Sequence, residues 1–235
     1  MHVDLTFTPA ELTHCALAGK VAVVIDVFRF TTAAQAALEA GAAGVFVVRE
    51  IEEALSMRSN DPSLLLAGER HALKVPGFDF GNSPLEFPPE DVRGRKIVWC
   101  TTNGTNAVTM AQQADQVILA SLRSAKAAAQ YVRDRGLDCV LVPAGLRGRY
   151  SLEDTWCAGY IAREIGASHV SDSVQTALMV SECFAVNDLR HSEHGRVLSG
   201  LGLDADLDYC LELDRSSAVI LQDKESGWCS LSHVG

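Results

Sequence analysis

Polar loops follow three apolar, strand-like runs of this sequence, and each loop leads into a helix-like segment. The loops lie in IDVFRFTTAA (25–34), CTTNGTNAV (100–108) and PAGLRGRYSLEDTWCAG (143–159). They carry carboxylates, arginines, threonines and an asparagine, which are groups suited to binding a phosphate or a hard cation. Parallel α/β sheets bind ligands at the carboxyl ends of their strands. We therefore expect the three strands to lie side by side and the loops to form one site.

The first loop combines a carboxylate with an anion-binding pattern. Asp26 ends an apolar run, and Arg29 and the pair Thr31 and Thr32 follow at the start of a helix-like segment. A carboxylate suits a metal, whereas a guanidinium and the N–H groups of a helix start suit a phosphate. In the purely structural alternative, Thr31 caps the helix and Asp26 pairs with Arg29.

The second and third loops are weaker signals taken singly. The string TTNGT (101–105) favours a tight backbone turn against an anion, and it equally suits a plain turn with a helix cap. Glu153 and Asp154 suit a metal beside Arg147 and Arg149. They also suit the first turn of a helix capped by Ser151, where acids interact favourably with the helix dipole.

A long polar segment, GERHALKVPGFDFGNSPLEFPPE (68–90), separates the first and second loops. Ordered segments of this length in a compact domain are usually functional. Capping explains Ser83, but it does not explain the charged and amide groups of GER and GFDFGN, among them Glu69, Arg70 and Asn82.

Two further patterns are set aside. Cys157 and Arg163 have the spacing of cysteine-dependent phosphatases, but the residues between them are typical of a helix interior, where the N–H groups are already used. His191 and His194 lie in a polar segment without the usual metal-binding partners, and we predict that they are solvated.

Repeated strand–loop–helix units predict an α/β fold, with a layered α/β/α arrangement and a mostly parallel sheet. We predict a single compact unit over 1–235, because no linker divides the chain, and the repetition allows two similar halves. The net charge of -10 argues against a nucleic-acid partner. No apolar run is long enough for a membrane span, and nothing at the N-terminus suggests a signal peptide. We interpret the seven cysteines as reduced, and predict a cytoplasmic protein.

Taken together, these stretches resemble the 2-phosphosulfolactate phosphatase family. The similar segments are IDVFRFTT, LAGERHALKVPGFDFGNSPLEF, CTTNGTNAV and GRYSLEDTWCAG, in the family's order, with weaker similarity in GLGLDADLDYC near the C-terminus. The resemblance implies a Mg²⁺-dependent phosphatase that hydrolyses (R)-2-phospho-3-sulfolactate to 3-sulfolactate and phosphate, a step toward coenzyme M. Two positions depart from the family's pattern: Phe30, where a small residue is usual, and Asn106, where a basic residue is usual. We expect them to narrow the pocket or to weaken anion binding.

On this resemblance we assign roles to the polar residues of the loops. Catalytic roles go to Asp26, Arg29, Glu69 and Asp154, and the Mg²⁺ ligands are expected among Asp26, Glu69, Glu153 and Asp154. Substrate binding is expected from Thr31, Thr32, Arg70, Lys74, Asn82, Ser83, Thr102, Asn103, Gly104, Thr105, Arg147 and Arg149. The phosphoryl group would be bound by the catalytic Arg29 together with Thr32, Asn103 and Gly104. Arg70, Lys74, Arg147 and Arg149 would bind the carboxylate and the sulfonate.

Several alternatives stay open on the sequence. The substrate is a small phosphorylated and sulfonated hydroxy acid or another phosphorylated 2-hydroxy acid. The attacking group is a water molecule or a carboxylate such as Asp26. A non-catalytic module that binds small anions is the alternative from another class, but it does not explain four acids in the same loops. A homo-oligomer is the usual expectation for an enzyme of this size.

Overall fold

The structure is a computed structural model that describes residues 1–234. This part of the chain forms one mixed sheet of eleven strands. The strands are β1 His2–Leu5, β2 Lys20–Ile25, β3 Gly44–Val48, β4 Leu65–Arg70, β5 Leu73–Lys74, β6 Lys96–Cys100, β7 Gln116–Ala120, β8 Asp138–Pro143, β9 His169–Val170, β10 Ala218–Gln222 and β11 Cys229–His233. Their order across the sheet is β5-β4-β6-β3-β11-β10-β7-β2-β8-β1-β9. The predicted α/β fold with a mostly parallel sheet is confirmed.

Helices connect most of the parallel strands. They are α1 Phe30–Glu39, α2 Ile51–Asn60, α3 Pro89–Val92, α4 Gly104–Ala111, α5 Ala125–Arg135, α6 Leu152–Ile165, α7 Asp172–Cys183, α8 Glu193–Gly200 and α9 Asp204–Cys210. Short 3₁₀ helices span Pro9–His14, Leu122–Ser124 and Val186–His191. No helix within residues 1–234 combines the length and the apolar character that crossing a membrane requires.

Strand β2 shows how the sequence places the core on both faces of the sheet. Val21, Val23 and Ile25 pack into the core that α5 and α6 cover. The alternate residues Ala22 and Val24 pack into a second core, which contains the alanines of α1 and α4. Successive side chains of a strand point to opposite faces, so a continuous apolar run predicts a strand buried on both sides.

The second core is shared by distant parts of the sheet. Ile97 and Trp99 of β6 lie in it together with Ala22 and Val24 of β2. Helix α4 packs against both β2 and β3, although three strands separate these two in the sheet. The sheet therefore curves around α1 and α4, and this curvature brings the ends of distant strands together.

The expectation that β2, β6 and β8 lie side by side is wrong. Strands β2 and β8 are parallel neighbours, with Ile25 opposite Pro143. Strand β6 instead lies between β3 and β4, with β3, β11, β10 and β7 separating it from β2. The loops after these strands still meet, because the sheet is curved. The expectation of two similar halves stays a prediction.

Candidate active site

A cavity of about 190 Å³ opens where the loops after β2, β4, β6 and β8 meet. We call it the acidic cavity. Its walls are formed by Asp26, Phe28, Arg29, Glu69, His71, Ala72, Asn82, Thr101, Thr102, Asn103, Leu146, Arg147, Glu193, His194 and Val197. The carboxyl ends of parallel strands are the usual place for a ligand in such a fold.

Asp26 follows β2 directly, and its backbone is fixed by Thr31. The Thr31 hydroxyl donates to the carbonyl of Asp26 (2.7 Å) and accepts from the N–H of Asp26 (3.1 Å). The N–H of Phe30 donates to Oδ1 of Asp26 at 3.3 Å. The start of α4 approaches from the other side, where a Cβ on Gly104 would lie 2.5 Å from Oδ2 of Asp26. Glycine is therefore required at position 104.

Asp154 joins the loops after β2 and β8. Its Oδ1 accepts from the N–H of Val27 at 2.8 Å, and its Oδ2 accepts from the N–H of Gly145 at 3.1 Å. Asp154 lies in the first turn of α6, whose N-cap Ser151 accepts from the Asp154 N–H at 3.3 Å. The predicted cap is confirmed, and the carboxylate has a positioning role in addition.

Glu69 makes the equivalent connection between β4 and the loop after β6. Its Oε1 accepts from the N–H of Thr102 and its Oε2 from the N–H of Ala72, both at 2.8 Å. Like Asp154, Glu69 is buried and uses each carboxylate oxygen on a backbone donor. These two acids hold the loops that form the cavity.

Glu153 differs from Asp154 and Glu69, because part of its carboxylate is unused. It is buried, and its Oε1 has no hydrogen-bond partner among the described residues. Nδ1 of His194 lies 3.2 Å from this oxygen, outside hydrogen-bond geometry. A buried acceptor without a donor is costly, which indicates that a cation or a proton completes this position.

Burial and neighbouring charges raise the pKa values of Asp26 and Asp154. Burial raises the pKa of Asp26 to about 6, and the charges of Glu69 and Glu153 act in the same direction, against His194 and the Phe30 N–H. Burial also raises the pKa of Asp154 well above its ordinary value, together with the charges of Asp26 and Glu153. A cluster of buried carboxylates that resist ionisation is typical of a catalytic or cation-binding site.

Arg29 reaches the cavity wall from a buried ion pair. Its Nη1 donates to Oδ2 of Asp206 at 2.6 Å, and its Nη2 donates to the carbonyl of Ala72 at 2.8 Å. The hydroxyl of Ser83 donates to the other oxygen of Asp206, also at 2.6 Å. The alternative in which Arg29 pairs with Asp26 is therefore wrong, because Asp206 of α9 is the partner.

Asn82, Asn103 and Arg147 also line the cavity, as their predicted binding roles require. Oδ1 of Asn103 accepts from the backbone N–H of Arg147 at 2.9 Å, which ties the loop after β6 to the loop after β8. The Arg147 side chain is exposed. Asn82 is held in place by Trp99, whose Nε1 donates to its Oδ1 at 3.1 Å.

Other predicted site residues lie away from the acidic cavity. Thr31, Thr32 and Ser83 are buried and bond within the protein, with the Thr32 hydroxyl donating to the carbonyl of Val27. Lys74 and Arg149 are exposed and bind the Asp79 carbonyl and the Glu193 carboxylate, respectively. None of these five is among the residues that line the cavity. Arg70 and Thr105 line a neighbouring cavity.

The expectation that Phe30 narrows the pocket is wrong. Phe30 is completely buried in the core, and its ring packs edge-on against Trp99 with the ring centres 5.7 Å apart. It lies behind Asp26 and Gly104 and does not form a wall of the acidic cavity. Asn106 lines the neighbouring cavity, next to Arg70.

His194 is the principal site residue that the sequence interpretation missed. It was predicted to be solvated, but it lines the cavity, lies beside Glu153 and packs edge-on against Phe28. His191 is exposed, as predicted. Cys157 and Arg163 lie within α6, which confirms that their spacing is a helical coincidence.

The donor set fits a magnesium ion held by few protein ligands. Within residues 1–234, no three His, Cys, Asp or Glu side chains are grouped closely enough to hold a metal. Mg²⁺ does not need such a group, because it usually keeps several waters and binds through one or two carboxylates. Asp26 and Glu153 have carboxylate oxygens to offer, since Glu153 Oε1 is unpartnered and the single donor to Asp26 lies 3.3 Å away. The predicted set of ligands stays a prediction.

Comparison with known proteins gives one consistent result. A model of the family described as 2-phosphosulpholactate phosphatase matches residues 6–225. A relative from Clostridium perfringens (strain 13 / Type A), named probable 2-phosphosulfolactate phosphatase, is 38% identical over 219 residues, which are 89% of each chain. Relatives of the same name come from Deinococcus radiodurans and Thermotoga maritima. The Deinococcus radiodurans protein is 42% identical over 206 residues, which cover 85% of this chain and 86% of the relative. The Thermotoga maritima protein is 37% identical over 217 residues, which cover 90% of this chain and 91% of the relative.

Proposed function

This chain belongs to the 2-phosphosulfolactate phosphatase family, a family of phosphoric monoester hydrolases, and we propose that it hydrolyses (R)-2-phospho-3-sulfolactate to 3-sulfolactate and phosphate in a Mg²⁺-dependent reaction. The observation that carries this proposal is the cluster of Asp26, Glu153 and Asp154 beside Arg29 at one edge of the sheet. Buried acids repel one another and an anionic ligand unless a cation joins them. A metal-dependent phosphatase uses the acids to bind the cation and the arginine to bind the phosphoryl group.

The residues that would hold Mg²⁺ are Asp26 and Glu153, while Glu69 and Asp154 fix the loops around them. When bound, the ion would neutralise charge on the phosphoryl oxygens as the ester bond breaks. Unaided phosphate monoesters hydrolyse extremely slowly, so most of the protein's contribution is positioning and charge stabilisation.

The chain's own groups bind the phosphoryl from several sides. Arg29 and Arg147 supply guanidinium groups on the cavity wall, and Asn103 supplies an amide at the start of α4. Arg29 is fixed by Asp206, so it loses little freedom when it binds a ligand. Thr32 drops out of the predicted phosphoryl-binding set, since its hydroxyl is used within the protein.

His194 has a place in the same proposal. His194 lines the cavity and its Nδ1 lies 3.2 Å from Oε1 of Glu153, so we assign it the role of giving a proton to the leaving oxygen. The attacking group is either a water molecule or the Asp26 carboxylate. Rapid-quench trapping of a phosphorylated aspartyl group, with retention of configuration at a chiral phosphorus, would identify Asp26. Persistent absence of that species, with inversion at phosphorus, would identify water.

The product connects the enzyme to a wider role. 3-Sulfolactate is an intermediate toward coenzyme M, and we propose this biosynthetic context. All cysteines are free in the part of the chain that the structure describes, which is the state that a reducing compartment favours. We propose a cytoplasmic location on this ground.

The direct test is phosphate release by the pure protein from 2-phosphosulfolactate, 2-phospholactate and phosphoglycolate, each with Mg²⁺ and with EDTA. The proposal predicts release that requires Mg²⁺ and is fastest with the sulfonated substrate. Faster release from another phosphorylated acid would keep the phosphatase and replace the substrate. No release from any of them by folded protein with Mg²⁺ would contradict the proposal.

A further inference from the structure

A second cavity of about 220 Å³ adjoins the acidic cavity at the carboxyl ends of β3, β4 and β6. Its walls include Arg49, Arg70, Thr105 and Asn106, and we call it the arginine cavity. Strands β4, β6 and β3 are neighbours in the sheet and run parallel. The crevice therefore has the location at which α/β sheets bind ligands.

Arg70 is held rigidly in this cavity by its own surroundings. Its Nη1 donates to the carbonyl of Glu69 at 2.9 Å, and its Nη2 donates to the carbonyl of Arg49 and to Sγ of Cys100, each at 3.1 Å. A guanidinium has five N–H donors. Among the described residues these bonds use three, so two donors are left for a ligand. A planar group fixed in this way loses little entropy when it binds an anion.

The charges around Arg70 favour an anion. Arg49 is exposed on the same wall, and Glu50 contributes one carboxylate, so the two arginines leave the wall with net positive charge. Helix α2 starts directly after Glu50, and α4 starts directly before Thr105. Helix N-termini add partial positive charge at both positions.

The two cavities are close enough to share walls. Thr101 and Thr102 line both of them. Glu69 and Arg70 are successive residues of β4, and Glu69 lines the acidic cavity whereas Arg70 lines the arginine cavity. Successive side chains of a strand point to opposite sides, which explains the division. The two cavities therefore adjoin at Thr101 and Thr102.

We propose that the arginine cavity binds the sulfonate of the substrate while the phosphoryl group lies in the acidic cavity. This inference rests on the proposed function and specifies how its site selects a substrate. A sulfonate presents three oxygens to the free donors of Arg70 and to Arg49, and charged hydrogen bonds of this kind are strong. In the acidic cavity the same sulfonate would meet Asp26 and Glu69 instead.

The test compares two substrates that differ in the sulfonate alone. 2-Phospholactate has the phosphoryl and carboxylate groups of 2-phosphosulfolactate, with a methyl group in place of the sulfomethyl group. The ratio of their kcat/KM values is measured for the wild type, Arg70→Gln, Arg49→Gln and the control Arg215→Gln. Arg215 is an exposed arginine outside both cavities, close to Glu212.

We expect Arg70→Gln to lower this ratio by about tenfold to a hundredfold, and Arg49→Gln by a smaller factor. Arg215→Gln should leave it unchanged. Thermal unfolding would show whether Arg70→Gln impairs folding. In that case the substrate ratio of Arg49→Gln, at an exposed position, still tests the proposal. A ratio within about twofold of the wild type in both cavity variants would overturn the proposal. An equal loss of kcat/KM on both substrates would overturn it too, because it would place the carboxylate in the arginine cavity.

Failure of the proposed function is separable from failure of this inference. If wild-type protein releases no phosphate from either substrate, the proposed function fails. Calorimetry with 3-sulfolactate then decides the inference. Binding that weakens at least about tenfold in Arg70→Gln supports the arginine cavity as a sulfonate site, and binding that is absent or equal in both proteins overturns it.

Discussion

The two cavities lie side by side at one edge of the sheet, yet their charges are opposite. The acidic cavity has Asp26, Glu69 and Glu193 on its walls, and the buried Glu153 and Asp154 lie close to Asp26. Of its two arginines, Arg147 is exposed and Arg29 is already paired with Asp206. The arginine cavity has Arg49 and Arg70 against Glu50. Thr101 and Thr102 line both cavities.

The opposite charges of the two cavities explain how one site can bind a substrate with several negative groups. An acidic cavity binds an anion only with a cation between them, so it suits the phosphoryl group in the Mg²⁺-dependent reaction that we propose. A basic cavity binds an anion directly, so it suits the group that does not react. The reacting phosphoryl group and the sulfonate that is recognised are therefore assigned to two adjoining cavities at the carboxyl ends of the strands.

The largest effect is expected from Asp26→Asn in the acidic cavity. Activity should fall on the order of a thousandfold or more, because a group that acts at the reacting centre is lost. The fold should be retained, since an asparagine oxygen still accepts from the Phe30 N–H. Steady-state kinetics with circular dichroism checks both, with the exposed Asp223→Asn as control. Activity near that of the wild type would remove Asp26 from the site.

The same variant makes a prediction about stability and pH. Burial raises the pKa of Asp26 to about 6, above its ordinary 3.8. The folded state therefore holds the proton more tightly than the unfolded state, and stability is lost as pH rises through this range. Relative to the wild type, Asp26→Asn should gain on the order of 2 kcal/mol between pH 4 and pH 8 in EDTA. Denaturant unfolding at the two pH values measures it, and an equal difference at both would contradict the burial argument.

A smaller effect is expected from Asp206→Asn, which removes the charge opposite Arg29. The two residues form a buried pair at 2.6 Å, so Arg29 should lose its fixed orientation at the phosphoryl. We expect activity to fall by about tenfold to a hundredfold, with weaker inhibition by inorganic phosphate. Ser83→Ala is the matched control, because it removes one hydrogen bond to Asp206 and leaves the ion pair intact. Equal losses in the two variants would indicate a merely structural role.

Arg147→Gln should have a moderate effect that distinguishes the two cavities. Arg147 is an exposed cation on the wall of the acidic cavity, so its loss should raise KM several-fold to about tenfold for every phosphorylated acid. The preference for the sulfonated substrate should not change. A selective loss on that substrate would instead place the sulfonate beside Arg147.

The smallest effects are expected from Lys74→Gln and Arg149→Gln. Both side chains are exposed, and neither lines either cavity. Lys74 donates to the Asp79 carbonyl and Arg149 forms an exposed ion pair with Glu193, so neither is placed to contact a ligand in these cavities. The kcat/KM value should therefore stay within about twofold of the wild type. A tenfold loss in either variant would show that the substrate extends beyond both cavities.

Local patterns in the sequence predicted the groups at the strand ends. An apolar run that stops at a carboxylate placed Asp26 correctly, and the serine before two acids correctly predicted the start of α6 at Ser151. Both features depend on residues within one turn or one strand of each other. The α/β class followed from the same local alternation of elements.

Long-range pairings were not predictable in this way. The position of β6 depends on the curvature of the whole sheet, so its expected place beside β2 was wrong. Asp206 lies 177 residues from Arg29 in the chain, and His194 reaches Glu153 from a separate helix. Nothing in the local sequence of either residue marks its partner, and α9 itself was not predicted. The weak family resemblance in GLGLDADLDYC, which contains Asp206, was the available signal.

On the proposed function, Mg²⁺ binds in the acidic cavity and not in the arginine cavity. Calorimetric titration with Mg²⁺ of the wild type, Asp26→Asn, Glu153→Gln and Arg70→Gln tests it without any turnover. We predict that Mg²⁺ binding weakens at least about tenfold in each acid variant and is unchanged in Arg70→Gln. Equal Mg²⁺ binding by all four folded proteins, or no binding by the wild type, would contradict the account.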